Sequence, residues 1–256
     1  MDFFKKNWKW LFVALALASL GLGFYIWKWE FREPLLEVHF FSLNKGRSIF
    51  VRTSESKTIL IGGGQNSEVI REITNVLPFY SRKIDYVLIP SAVPAQIGGL
   101  IEVIDRYEVG EIIMPKLLAT STVLTQLMKE VRKKKIHIEE VEKGDDIEIG
   151  GAKLEVLFPY EEFKFNKSSL PELGLEISYK DTSAYLMGNL SKTIQKDILK
   201  NTEINKGENI IEFYNSMADG KVYKELVEAI DPRFIFSTNE KAATMISDGE
   251  GWRKER

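Results

Sequence analysis

Arg82–Pro115 reads RKIDYVLIPSAVPAQIGGLIEVIDRYEVGEIIMP, and this stretch decides the fold. IDYVLIP is a short, continuous apolar run closed by Pro90, the pattern of a strand covered on both faces. Ile97–Tyr107 carries apolar residues at helical spacing, and Val109–Met114 is a second apolar strand that Pro115 ends. Strand, helix and strand follow one another within 34 residues, which predicts an α/β arrangement with sheets inside and helices outside.

The flanking sequence extends the pattern. Upstream, LEVHFFSL, SIFVRT and KTILIGGG are rich in Val, Ile, Phe and Thr and are separated by NKGR and SESK, so they predict a three-stranded meander. Ser67–Leu77 has helical periodicity and stops at Pro78. Downstream, Ser121–Lys135 predicts a long helix with Thr120 or Ser121 as its cap. Strands are expected at Ile136–Val141, Asp146–Ile149 and Ala152–Phe158. A loop, Glu161–Pro171, leads to strands at Leu175–Tyr179 and Ser183–Met187. A helix over Ser191–Lys200, a strand over Asn209–Tyr214, a helix over Lys221–Ile230 and a strand over Arg233–Ser237 complete the pattern. Residues 239–256 are polar with Gly249 and Gly251, and are expected to form a flexible tail.

The N-terminus differs in kind. Leu11–Trp27, LFVALALASLGLGFYIW, holds no charge over 17 residues. As a helix it would span roughly 26 Å, enough for a bilayer core. Trp8 and Trp10 precede it, and Tyr25, Trp27 and Trp29 close it, matching interfacial aromatic belts. Lys5, Lys6 and Lys9 lie on its N-terminal side. The expectation is a basic cytoplasmic segment at 1–10, a single transmembrane helix at 11–29 and an extracytoplasmic domain at 35–238. A cleaved signal peptide has the same basic-then-apolar order, but bulky aromatics directly after a cleavage site argue against it.

Composition narrows the chemistry. The 256 residues include no cysteine, which excludes disulfides, thiolate metal sites and a cysteine nucleophile. His39 and His137 are the only histidines and both fall at predicted strands. The chain has 35 basic and 37 acidic residues. Five basic and three acidic ones fall in residues 1–33, so the remainder holds 30 and 34. A surface devoted to nucleic acid usually shows a basic excess instead. Lys129, Arg132, Lys133, Lys134 and Lys135 cluster at a helix end, where they complement the dipole. Gly62-Gly63-Gly64 lacks the Lys-Ser/Thr ending of a phosphate-binding loop and reads as a tight turn. Phe163 and Phe165 are candidates for an exposed contact or for core packing.

Four blocks together resemble the metallo-β-lactamase-fold domain of ComEC-type DNA-internalisation competence proteins. They are LEVHFFSLNKGRSIFVRT with KTILIGGG, then RKIDYVLIPSAVPAQIGGLIEVIDRYEVGEIIMP, then LEISYKDTSAYLMGN, then NIIEFYNSMADGKVYKELVEAIDPRFIFST. The resemblance covers nearly all of Leu35–Thr238 and implies a four-layer αββα sandwich. In that family an H-x-H-x-D-H loop supplies most ligands of two metal ions. Its positions here are Ser91, Val93, Ala95 and Gln96. The bridging Asp aligns with Asn189, a later His pair with Asn215 and Ser216, and the strand-end Asp with Gly62. The D-V-G-Q-G-D motif has become Ser42, Leu43, Asn44, Lys45, Gly46 and Arg47. Amides and hydroxyls bind divalent metals far more weakly than imidazole or carboxylate.

The anchor segment, and the loss of the family's ligands on a matching scaffold, together lead to the expectation of a membrane-anchored protein with no catalytic or metal-binding residues and no cofactor. Ser91, Gln96, Asn189, Asn215 and Ser216 would line one vestigial cleft of neutral polar and small apolar groups. A protein partner is expected, with DNA as a weaker expectation. The alternative is a divergent hydrolase with a non-standard site using Ser91, Asn189, Asn215 or Asp219.

Overall fold

The computed structural model describes residues 13, 15–21, 35–116, 120–160, 172–214, 221–237 and 242–255. The chain divides into two compact units, Met1–Pro34 and Leu35–Arg256. In the first unit residues 13 and 15–21 are helical, and Val13, Leu15, Leu17 and Leu20 are exposed. Among the described residues no helix is long and apolar enough to cross a membrane, and both ends of the Leu11–Trp29 segment lie outside them.

The second unit holds two sheets. In the first, β1 (Leu36–Phe40), β2 (Ile49–Arg52) and β3 (Thr58–Ile61) form the antiparallel meander. β4 (Lys83–Leu88), β5 (Glu108–Pro115) and β6 (His137–Val141) continue it in parallel. In the second sheet, β7 (Asp146–Ile149), β8 (Ala152–Phe158), β9 (Gly174–Tyr179) and β10 (Thr182–Gly188) pair antiparallel. β11 (Glu208–Phe213) and β12 (Phe234–Ser237) join β10 in parallel.

Side-chain alternation sorts these strands into layers. Ile59 and Ile61 face one apolar cluster and Leu60 another; Leu88 and Ile113 join the first, Val87 and Ile112 the second. The first cluster also takes Leu175, Ile177, Leu186 and Ile210 from the other sheet, so it is the core between the sheets. The second is completed by α1 (Glu68–Val76), α2 (Pro94–Ile97), α3 (Leu100–Arg106) and α4 (Thr122–Lys134). On the far side, Tyr185, Met187 and Ile211 pack under α5 (Lys192–Asn201) and α6 (Lys224–Ile230). Helices, sheet, sheet and helices form the expected four layers.

Local signals place the helix ends. Ser121 Oγ accepts from the Leu124 N–H at 3.1 Å, and Ser191 Oγ from the Ile194 N–H at 3.4 Å, so each caps its helix. The helix expected over Ile97–Tyr107 starts at Pro94, a residue suited to a first turn because it lacks an N–H. It runs through Gly98 and Gly99 into α3. A Cβ on Gly99 would stand 2.1 Å from the Gly63 carbonyl oxygen, so only glycine admits this approach of helix to sheet.

The flexible tail expected over 239–256 is corrected. β13 (Ala243–Ser247) pairs with β1, and β14 (Trp252–Glu255) pairs with β13. The polar Ser247–Gly251 stretch is the turn between them: Asp248 Oδ1 accepts the N–H groups of Glu250 and Gly251 at 3.0 and 3.2 Å. Trp252 is buried, and its indole N–H donates to the Glu208 carbonyl at 3.1 Å. Burying that ring outweighs the polarity of its neighbours.

Candidate functional site

The carboxyl ends of β4, β10 and β11 meet where the two sheets face each other, the usual place for a ligand site in an α/β fold. The chain leaving β4 turns at Ser91, whose hydroxyl accepts from the Val93 N–H at 3.2 Å and donates to Gln96 Oε1 at 3.3 Å. Gln96 Nε2 donates to Glu172 Oε2 at 2.8 Å. The Asn189 N–H, just past β10, donates to the same oxygen at 2.8 Å. Leu173 is tied by its N–H to the Pro90 carbonyl at 2.7 Å, which fixes Glu172 beside the end of β4.

Arg47 completes the arrangement from the β1–β2 connection. Its Nη1 donates to Glu172 Oε1, and its Nε lies 3.2 Å from Glu212 Oε1, on β11. All three side chains are almost fully buried, at 4% exposure for Arg47 and 2% for each glutamate. Glu172 therefore receives three donors, two of them neutral and one charged, in a dry site. Arg47 Nη2 is buried and makes no hydrogen bond to the described residues.

Ser91, Gln96 and Asn189 thus converge, Asn189 through its backbone N–H. Asn215 and Ser216, with Asp219, Phe163 and Phe165, lie outside the described residues. The neutral lining expected of the cleft is corrected: its centre is an ion-pair cluster of Arg47, Glu172 and Glu212. Desolvated charges persist there because the guanidinium is shared between the two carboxylates. Glu172 and Glu212 were missed by sequence reasoning. An acidic residue inside the apolar run NIIEFY is a signal that could have found Glu212. Glu172 has no such signal, since it follows a loop without periodicity.

The described residues do not fit a two-metal centre. No group of three or more His, Cys, Asp or Glu side chains able to hold a metal occurs among them. The two carboxylates present already share a guanidinium, a fixed cation that repels a divalent ion. His39 is on β1, with Nδ1 3.0 Å from Thr244 Oγ1 and Nε2 3.3 Å from Glu37 Oε2. His137 opens β6, exposed, with Nε2 3.4 Å from Glu111 Oε1. Neither belongs to the cluster.

Other candidate features resolve as structural. The N–H groups of Gly62, Gly63 and Gly64 donate to the carbonyls of Leu88, Gln96 and Arg47 at 3.0, 2.7 and 3.1 Å, so none is left for an anion. Lys134 of the basic cluster donates to the carbonyls of Ile104 and Asp105, where it satisfies the end of α3. A second buried polar group lies on β9 and β10. Ser183 Oγ donates to Glu176 Oε1 at 2.6 Å, and burial pushes the Glu176 carboxyl above its ordinary range. Burial, with Glu176 nearby, also raises the Tyr185 phenol.

No known protein family and no curated protein matches the chain by sequence. Solved structures do match in shape. The metallo-beta-lactamase fold protein YhfI from Bacillus subtilis superposes with a TM-score of 0.53 at 9% identity, over 84% of this chain and 100% of that one. CmlA, a diiron beta-hydroxylase from Streptomyces venezuelae, gives 0.51 at 17% identity, over 79% of this chain and 44% of that one. The chain therefore spans less than half the length of the hydroxylase. At these identities the matches establish the fold, an α/β metallo-β-lactamase-like architecture with two sheets.

Proposed function

We propose that this protein is a membrane-anchored, non-hydrolytic member of the metallo-β-lactamase fold, akin to the ComEC-type domain, that works by binding. The observation that carries this reading is the Arg47–Glu172–Glu212 cluster at the strand ends. Hydrolysis in this fold class would need ligands fixed on several strand ends, a bound water of lowered pKa and an open coordination position. Here the strand ends hold a buried hydroxyl, an amide and an ion pair of one guanidinium with two carboxylates. The four-block resemblance supports an accessory role in DNA uptake or the cell envelope, with the Leu11–Trp29 segment as anchor. The acidic balance of the main unit, and the use of Lys134 on α3, favour a protein partner over DNA.

The divergent-hydrolase reading draws on the diiron enzyme among the structures of like fold. It needs a reachable nucleophile, and Ser91 is fully buried. Metal analysis of the purified full chain after dialysis, together with a phosphodiesterase assay, decides between the two. Sub-stoichiometric zinc and manganese with no chelator-sensitive turnover is the expected result. Stoichiometric metal with turnover abolished by a chelator overturns the non-hydrolytic reading.

A further inference from the structure

Three segments far apart in sequence contribute the ion-pair cluster. Arg47 belongs to the first sheet's β1–β2 connection, whereas Glu172 precedes β9 and Glu212 sits within β11 of the second sheet. Among the described residues, two glutamates carry two negative charges and one guanidinium carries one positive charge, so these three side chains sum to a formal charge of −1. Its contacts are made by two nitrogens bonded to the same carbon. The two carboxylate oxygens therefore flank a single small volume, and that volume holds the guanidinium. Room for it comes from Gly188, whose absent Cβ would otherwise stand 2.2 Å from Nη1 and 2.3 Å from Glu172 Oε1.

We propose that Arg47 is the resident cation of this cleft: its guanidinium pairs with both Glu172 and Glu212, ties the two sheets together and excludes a divalent ion. The planar fork suits carboxylates better than an ammonium does, and it never deprotonates at physiological pH. Unlike a bound ion it cannot dissociate, so the link between the sheets holds at any metal concentration. Removing it leaves two buried carboxylates around a vacated volume, an oxygen-lined site whose charge a hard divalent cation would cancel. This inference stands on the cluster's geometry and is independent of the accessory role.

The test is the thermal melting of the full chain with and without Mn²⁺. The wild type should melt at the same temperature in both. Arg47→Ala should melt about 6–20 °C lower, as expected when one partner of a buried pair is lost in a domain of this size. Mn²⁺ at a hundredfold excess over its dissociation constant should restore about 5–10 °C. Arg47→Ala/Glu172→Gln should lose that response, and Arg47→Lys should show none. If Arg47→Ala fails to fold in buffer, recovery of folded protein only with Mn²⁺ supports the proposal, and no recovery overturns it. Equal Mn²⁺ stabilisation of wild type and Arg47→Ala overturns it, as does a folded Arg47→Ala that ignores Mn²⁺. Such failures would leave the phosphodiesterase result untouched, so the two readings fall separately.

Discussion

Gly188 and Arg47 are matched in shape: a Cβ at position 188 would stand 2.2 Å from Arg47 Nη1. Gly188 also holds φ +49°, in the left-handed region that disfavours other residues. The last residue of β10 is thus committed to leaving space for a charge contributed by the opposite sheet.

Gly188→Ala should therefore displace the guanidinium and cost about 3–5 kcal/mol, the scale of breaking a buried ion pair. Urea unfolding of the full chain measures it. In an Arg47→Ala/Glu172→Ala background the same change should cost much less, because both clashing partners, Arg47 Nη1 and Glu172 Oε1, are gone. Additive costs would show that Gly188 acts through backbone strain alone.

Leu88 is fully buried between the sheets, next to Ile61 and Ile113 in the same cluster. Leu88→Ala should lower stability by about 2–5 kcal/mol through lost packing and the cavity left behind. An unchanged denaturation midpoint would contradict its place in the central strand.

Trp252 anchors the C-terminal hairpin, and Trp252→Ala should cost about 3–5 kcal/mol. Limited proteolysis should then cut first near residues 248–251. A variant as resistant as the wild type would mean that β14 contributes nothing to the sheet.

Glu176 gives a pH signature. Its carboxyl is raised by burial, so the folded state favours the protonated form. Stability from this group is complete below the ordinary glutamate value. It falls as pH rises from there through the raised folded-state value, and stays lower above it. Glu176→Gln should melt higher than the wild type at pH 7, and the difference should vanish near pH 4. A variant less stable at pH 7 would show that the ionised carboxylate is needed.

Protease added to intact cells, after permeabilising any outer membrane, should degrade the main unit and spare the Lys5–Lys9 end. Protection of everything from Leu35 onward would reverse the proposed orientation.

Local alternation alone determined the layers. The strands and helices read from Leu36 to Ser237 stand where the apolar spacing put them, because burial on one or two faces writes itself into neighbouring residues. Ser121 and Ser191 marked helix starts for the same short-range reason. The centre of the cleft was decided only by tertiary structure. Arg47 and Glu172 are 125 residues apart, and a charge at either position reads as a solvated loop residue until the chain path brings both into the interior. The C-terminal strands were equally hidden. WRKE is three-quarters charged, and it becomes a strand because β13 offers an unpaired edge and Trp252 a side chain to bury. Sequence periodicity records what each segment buries, whereas partner choice between distant charges and edges depends on how the whole chain closes on itself.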